Sequence, residues 1–166
     1  MPYATASDGV RLYYEEVGSG TPVIFVHEFA ADYLSWEPQM RYFARRHRCI
    51  AYSARGYTPS DVPDSDAAYR YEHFRDDVIA VLDHLQIAKA HVVGLSMGAY
   101  STLHVGLRYP ERARSLTLAG VGSGSERWYT QEFREHCCAT AAQFETAGAL
   151  EVAKSYGMDR RASRSR

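Results

Sequence analysis

The chain has 166 residues, 46% of them hydrophobic and 23% charged, and its 19 Lys and Arg nearly balance its 20 Asp and Glu. A chain of this size can bury one substantial core, and its formal net charge of −1 gives no reason to expect nucleic acid or an anionic membrane as partner. No stretch approaches the ~20 apolar residues of a membrane span, and the first nine residues lack the basic and apolar regions of a secretory leader, so a soluble cytoplasmic protein is the expectation.

Residues 3–7 and 10–17 read as two strands joined at Asp8-Gly9, a dipeptide suited to a tight hairpin. Val10, Leu12 and Tyr14 alternate with Arg11, Tyr13 and Glu15, as in a strand with one wet face. A break at residues 18–22 leads to residues 23–26, continuously apolar, which is how a strand covered on both faces reads; it ends at His27. Ser35 can cap a helix with Trp36, Met40 and Phe43 on one face. The cluster Arg45, Arg46, His47 and Arg48 reads as a solvated helix end in preference to a phosphate site. Residues 49–52 form the next strand, and residues 53–64 a polar loop carrying Arg55-Gly56-Tyr57-Thr58-Pro59-Ser60. Over residues 71–85, Phe74, Val78, Val81, Leu82 and Leu85 follow helical spacing, with Asp76, Asp77 and Asp83 expected outward.

The most informative stretch is 90–99. An apolar strand-like run, residues 91–93, meets Gly94-Leu95-Ser96-Met97-Gly98, and a helical pattern follows directly until Pro110 closes it. With glycine and serine each at about 7% of residues, Gly-x-Ser-x-Gly arises by chance about 0.05 times in such a chain, so the flanking strand and helix carry the weight. The bland reading is a βα turn whose serine merely caps the helix. The functional reading needs glycine at 94 and 98 for a sharp bend, lifting the Ser96 hydroxyl beside a helix N-terminus where the Met97 amide can face an oxyanion.

Residues 115–119 supply a further apolar strand. Strands alternating with helices predict an α/β fold: a three-layer αβα sandwich on a mostly parallel sheet of about six strands, with an antiparallel N-terminal hairpin. Ligands bind such sheets beyond the carboxyl ends of the strands, which here are His27, Ser53, Leu95 leading into Ser96, and Gly120. After Gly122 the composition shifts to helical stretches at 126–146 and 149–156 with no strand between them. The expected organisation is a core over 1–122, a helical lid or start of a cap over 123–158, and a disordered basic tail over 159–166. Cys49, Cys137 and Cys138 are odd in number and lack metal-ligand spacing; they read as reduced thiols, and no metal or other cofactor is expected.

Three motifs make the chain resemble the α/β-hydrolase superfamily: Val26-His27-Glu28-Phe29, Ser53-Ala54-Arg55-Gly56-Tyr57 and Gly94-Leu95-Ser96-Met97-Gly98. The resemblance implies a serine hydrolase acting on an ester or related acyl bond, with Ser96 as nucleophile and Met97 and Phe29 giving the oxyanion-hole amides. His27 would be the histidine that holds the oxyanion loop, and not the general base. Glu28 stands where the family usually has glycine and Ser53 where it often has aspartate. The serine argues against the dehalogenase branch, which uses aspartate there. The Ser-Met-Gly form does not separate esterases, acylglycerol hydrolases, carbon–carbon bond hydrolases and cofactor-free haloperoxidases.

In this family the acid and the histidine follow the serine on loops after late strands. Beyond Ser96 the sequence offers His104, His136, Glu126 and Asp159 and no further βα units. His104 lies two turns into the serine's own helix, and nothing obvious would orient His136. The expectation is therefore the front part of a hydrolase, impaired by loss of acid and base. The alternative is a non-catalytic relative that binds or forms a homodimer through the exposed edge at 115–119.

Overall fold

The computed structural model describes residues 2–122 and 124–155. Contacts divide the chain into two compact units, one ending at Val121 and one beginning at Gly122.

The first unit is built on a six-stranded sheet. Its strands are β1 (Tyr3–Thr5), β2 (Arg11–Val17), β3 (Thr21–Val26), β4 (His47–Tyr52), β5 (Ala90–Leu95) and β6 (Ala113–Ala119), in the order β1-β2-β4-β3-β5-β6. β1 and β2 form the expected antiparallel hairpin, and β2 joins β4 antiparallel. β4, β3, β5 and β6 are mutually parallel, as βαβ crossovers require. The helices are α1 (Glu37–Phe43), α2 (Tyr71–His84) and α3 (Met97–Arg108). Two apolar clusters cover the sheet. Ile24, Val26, Ile50, Tyr52 and Val92 pack with α2 and α3 residues Val78, Val81, Leu82 and Val105. Val23, Phe25, Cys49 and Ala51 pack with Met40 of α1. The period-two reversal along β3 is why that run is apolar throughout.

Several expectations are corrected. The entry to α1 is a 3₁₀ turn, Tyr33–Trp36, capped by Asp32, whose side chain accepts the Leu34 N–H; Ser35 is not the cap. The basic cluster does not close a helix, because His47 and Arg48 already belong to β4, where Arg48 pairs with Glu16 at 2.7 Å. Asp77 does not point outward: it is fully buried on α2 and holds Arg55. The loop after β4 is polar in sequence yet partly interior, with Ser53, Ala54, Arg55 and Ser60 all buried.

The described residues of the second unit contain one helical run, α4 (Thr130–Ser155), interrupted at Gly148, whose φ of 78° and ψ of 163° are non-helical. The break falls between the two helical stretches read from the sequence, while the helix begins at Thr130 and not at 126. The disordered-tail expectation for 159–166 lies outside the described residues. Among the described residues no helix is long and apolar enough to cross a membrane.

Candidate active site

β5 runs into Ser96, and α3 starts one residue later. Ser96 sits at φ 51°, ψ −115°, a left-handed conformation that costs a non-glycine residue about 1–3 kcal/mol. The bend is held from both ends. The Ser96 N–H donates to the Ala119 carbonyl of β6 at 2.8 Å, and the Ser96 carbonyl accepts from the Tyr100 N–H at 3.0 Å, opening α3. The Ser96 side chain is exposed and makes no capping hydrogen bond, so the bland cap reading does not describe it.

The two flanking glycines are required by contact. A Cβ on Gly94 would overlap the Gly98 carbonyl and Thr102 Oγ1. One on Gly98 would overlap the Val26 carbonyl and stand 2.6 Å from that of His27. The first turn of α3 therefore lies directly against the end of β3. Since Val26 and Gly94 are also register partners, the chain leaving β3 and the chain leaving β5 emerge side by side. This brings residues 27–29 and 96–97 to one rim of the sheet.

His27 is 1% exposed, and both its ring nitrogens are engaged. Nε2 accepts the Ala54 N–H at 2.9 Å, which leaves the proton on Nδ1, donated to the Glu28 carbonyl at 2.7 Å. Burial lowers the His27 pKa, opposed by the Glu28 backbone bond and the Asp32 and Glu28 charges. His27 thus ties the loop after β3 to the loop after β4 and has no lone pair left for proton transfer. Glu28 turns its carboxylate onto its own loop, Oε2 accepting the Ala30 N–H at 2.6 Å. Phe29 is exposed.

Tyr57, a residue to which no sequence motif assigns a role, joins the two loops to α3. Its ring meets His27 edge-on, centroids 4.8 Å apart, and its hydroxyl lies 3.8 Å from Met97 Sδ. Burial, with the Glu28 charge adding, drives its phenol far above the usual range. A single aromatic amid polar loop residues was the signal. Ser53, where the family often has aspartate, is buried, its carbonyl accepting the Ser60 hydroxyl at 2.6 Å.

The His104 ring, two turns along α3, clusters with those of Tyr71 and Tyr100, tilted against the first and edge-on to the second, with centroids 4.5 Å from each. Among the described residues of the first unit no histidine hydrogen-bonds Ser96. His136 and Glu126 belong to the second unit, and Asp159 is outside the described residues. No group of three His, Cys, Asp or Glu among the described residues is arranged to hold a metal ion.

The sequence profile of the alpha/beta hydrolase fold matches residues 21–135, from β3 into α4. The chain belongs to the α/β-hydrolase fold family. Epoxide hydrolase 2 of Siraitia grosvenorii is 30% identical over 117 residues, covering 70% of this chain and 37% of that protein. 3-oxoadipate enol-lactonase 2 of Acinetobacter baylyi is 33% identical over 121 residues, covering 72% and 44%. The enol-lactonase structure from Burkholderia xenovorans superimposes with a TM-score of 0.79 at 24% identity, over 93% of this chain and 58% of that one. An epoxide hydrolase structure from Vigna radiata gives a TM-score of 0.67 at 27% identity, over 69% and 37%. The chain therefore spans between 37% and 58% of the length of these α/β-hydrolases.

Proposed function

We propose that this chain carries the nucleophile and oxyanion-binding portion of a serine hydrolase acting on an ester or related acyl bond. In this reading Ser96 Oγ attacks the carbonyl carbon as its proton passes to solvent, and the backbone amides of Met97 and Phe29 hold the resulting oxyanion. The ester C–O bond breaks, the protonated alcohol leaves, and water then hydrolyses the acyl-enzyme to the acid and free Ser96. The observation that carries it is the conformation of Ser96. A left-handed, uncapped, exposed serine at a strand-to-helix junction is costly to maintain and serves no packing purpose. The enol-lactonase relatives support an acyl substrate, since a lactone is an internal ester. His27, Gly94 and Gly98 support the loop and the bend and take no part in proton transfer. The substrate is a small ester-like molecule, no cofactor is used, and the helical stretch after Gly122 acts as lid or cap.

Among the described residues of the first unit no histidine hydrogen-bonds Ser96, His27 is fully engaged and His104 lies against two tyrosines, so Ser96 is expected to act without a general base from this unit. Removing triad members costs a serine hydrolase about 10⁶ in turnover, with about 10³ to 10⁴ over water remaining. The test is incubation of the purified chain with a short-chain p-nitrophenyl ester and a fluorophosphonate, beside Ser96→Ala. Slow covalent labelling that Ser96→Ala abolishes, with little turnover, is expected. Robust multiple turnover abolished by Ser96→Ala would reveal a base elsewhere, and labelling that survives Ser96→Ala would remove Ser96 as nucleophile. A second reading, a non-catalytic relative forming a homodimer, is favoured by one observation: β6 lies at the sheet edge with Leu116 and Leu118 exposed.

A further inference from the structure

The loop that follows β3 carries two carboxylates fixed in place by its own backbone. Glu28 Oε2 accepts the Ala30 N–H at 2.6 Å, so the side chain closes a ring around the backbone of residue 29. Asp32 Oδ1 accepts the Leu34 N–H at 2.8 Å. Phe29, whose amide is one oxyanion donor in the reading above, lies between them in sequence. Neither carboxylate takes part in an ion pair among those of the described residues. Arg55, the buried guanidinium nearest in sequence, is committed to Asp77 and Asp8. His27, the ring against this loop, is engaged as a neutral imidazole. Among the described residues, the loop that would contact the acyl oxygen thus carries two carboxylates outside every ion pair.

We propose that Glu28 makes the site selective for neutral and positively charged acyl substrates and rejects those with a carboxylate close to the reacting carbonyl. The proposal rests on Ser96 as nucleophile. For a substrate carboxylate taken to lie about 8 Å from it, at an effective dielectric of about 20–40, one fixed negative charge is disfavouring by about 5- to 30-fold. A substrate ammonium group is favoured correspondingly, and it also offsets the repulsion between Glu28 and the developing oxyanion.

Three alkyl fluorophosphonates matched in length and ending in methyl, trimethylammonium or carboxylate test this. Each modifies a serine by forming the Oγ–P bond as P–F breaks, with fluoride leaving and the hydroxyl proton passing to solvent. The readout is the second-order rate of Ser96 modification by mass spectrometry, each rate divided by the probe's own hydrolysis rate, in wild type, Glu28→Gln and Glu28→Asp. The expected wild-type order is ammonium, then methyl, then carboxylate, with methyl about 5- to 30-fold over carboxylate. Glu28→Gln should bring that ratio towards one, and Glu28→Asp should retain most of it. Raising ionic strength from about 0.01 to about 1 M, which shortens the Debye length from about 30 to about 3 Å, should narrow the wild-type ratio without any substitution. That arm decides the matter if Glu28→Gln does not fold. Equal wild-type rates for methyl and carboxylate probes, or a ratio indifferent to both Glu28→Gln and salt, would overturn the charge selectivity while leaving Ser96 as nucleophile. No modification of Ser96 by any probe in a folded chain would overturn both.

Discussion

Arg55 shows how far one side chain can hold distant segments together. Its Nε and Nη2 donate to the two Asp77 oxygens at 2.8 and 2.6 Å, its Nη1 and Nη2 to Asp8 at 2.7 and 3.3 Å, and Nη1 also to the Ala68 carbonyl at 2.9 Å. One guanidinium therefore binds the β1–β2 turn, the loop after β4 and α2. Burial pushes the Asp77 carboxyl up even against Arg55, so it would protonate if the arginine were lost. Arg55→Met should therefore cost about 3 kcal/mol, at the low end for breaking a buried pair, and the double variant Arg55→Met/Asp77→Leu should recover part of it; urea unfolding checks both. His27 gives a pH signature. Burial holds its folded pKa below 6.5 although Glu28 and Asp32 face it, so between those two values the unfolded chain binds a proton that the folded chain does not. Stability from this group is complete above about pH 6.5 and is lost as pH falls towards the folded pKa, with a slope of at most about 1.4 kcal/mol per pH unit. Urea midpoints measured from pH 8 down to about pH 5 should fall more steeply in wild type than in His27→Gln.

The bend between β5 and α3 depends on backbone proximity more than on glycine's dihedral freedom. Gly98 has no positive φ, yet a Cβ there would collide with two carbonyl oxygens of β3's exit, which rigid backbone cannot yield. Gly9 is the opposite case: its φ of 87° strains any other residue, but nothing lies within 4 Å of a Cβ. Gly9→Ala should cost about 1–2 kcal/mol, the ordinary penalty for a left-handed residue. Gly98→Ala should cost more than that, and fluorophosphonate labelling of Ser96 should fall with it because α3 must move away from residues 26–27. Thermal unfolding alongside labelling separates the two effects. Equal costs for the two substitutions would mean that dihedral strain outweighs contact at this junction.

The sheet was readable because its signals are local: apolar runs at β3 and β5, alternation at β2, and a glycine-flanked serine that only a sharp turn explains. What escaped was set by tertiary pairing. Asp77 stands beside Asp76 on a polar-looking helix face, and only a buried guanidinium from 22 residues earlier makes an interior position tolerable. Tyr57 gained its role from His27 and Met97, which no spacing rule connects. The two edges of the sheet differ in the same way. β1 has three residues, a short edge of the kind that discourages further pairing, whereas β6 has seven, and its apolar run Leu116-Thr117-Leu118-Ala119 carries no proline or charge. Such an edge offers unpaired backbone groups along its length to another strand. The chain should therefore associate as its concentration rises, and Leu118→Lys, which places a charge on an exposed edge residue, should shift the weight-average mass in sedimentation equilibrium towards monomer. Tyr42→Lys is the control, since Tyr42 is more exposed but lies on α1, which packs on the interior strand β4. If both substitutions reduce association equally, contact is hydrophobic and general; if only Leu118→Lys does, it runs through β6; and a wild-type chain that stays monomeric at high concentration excludes pairing through this edge.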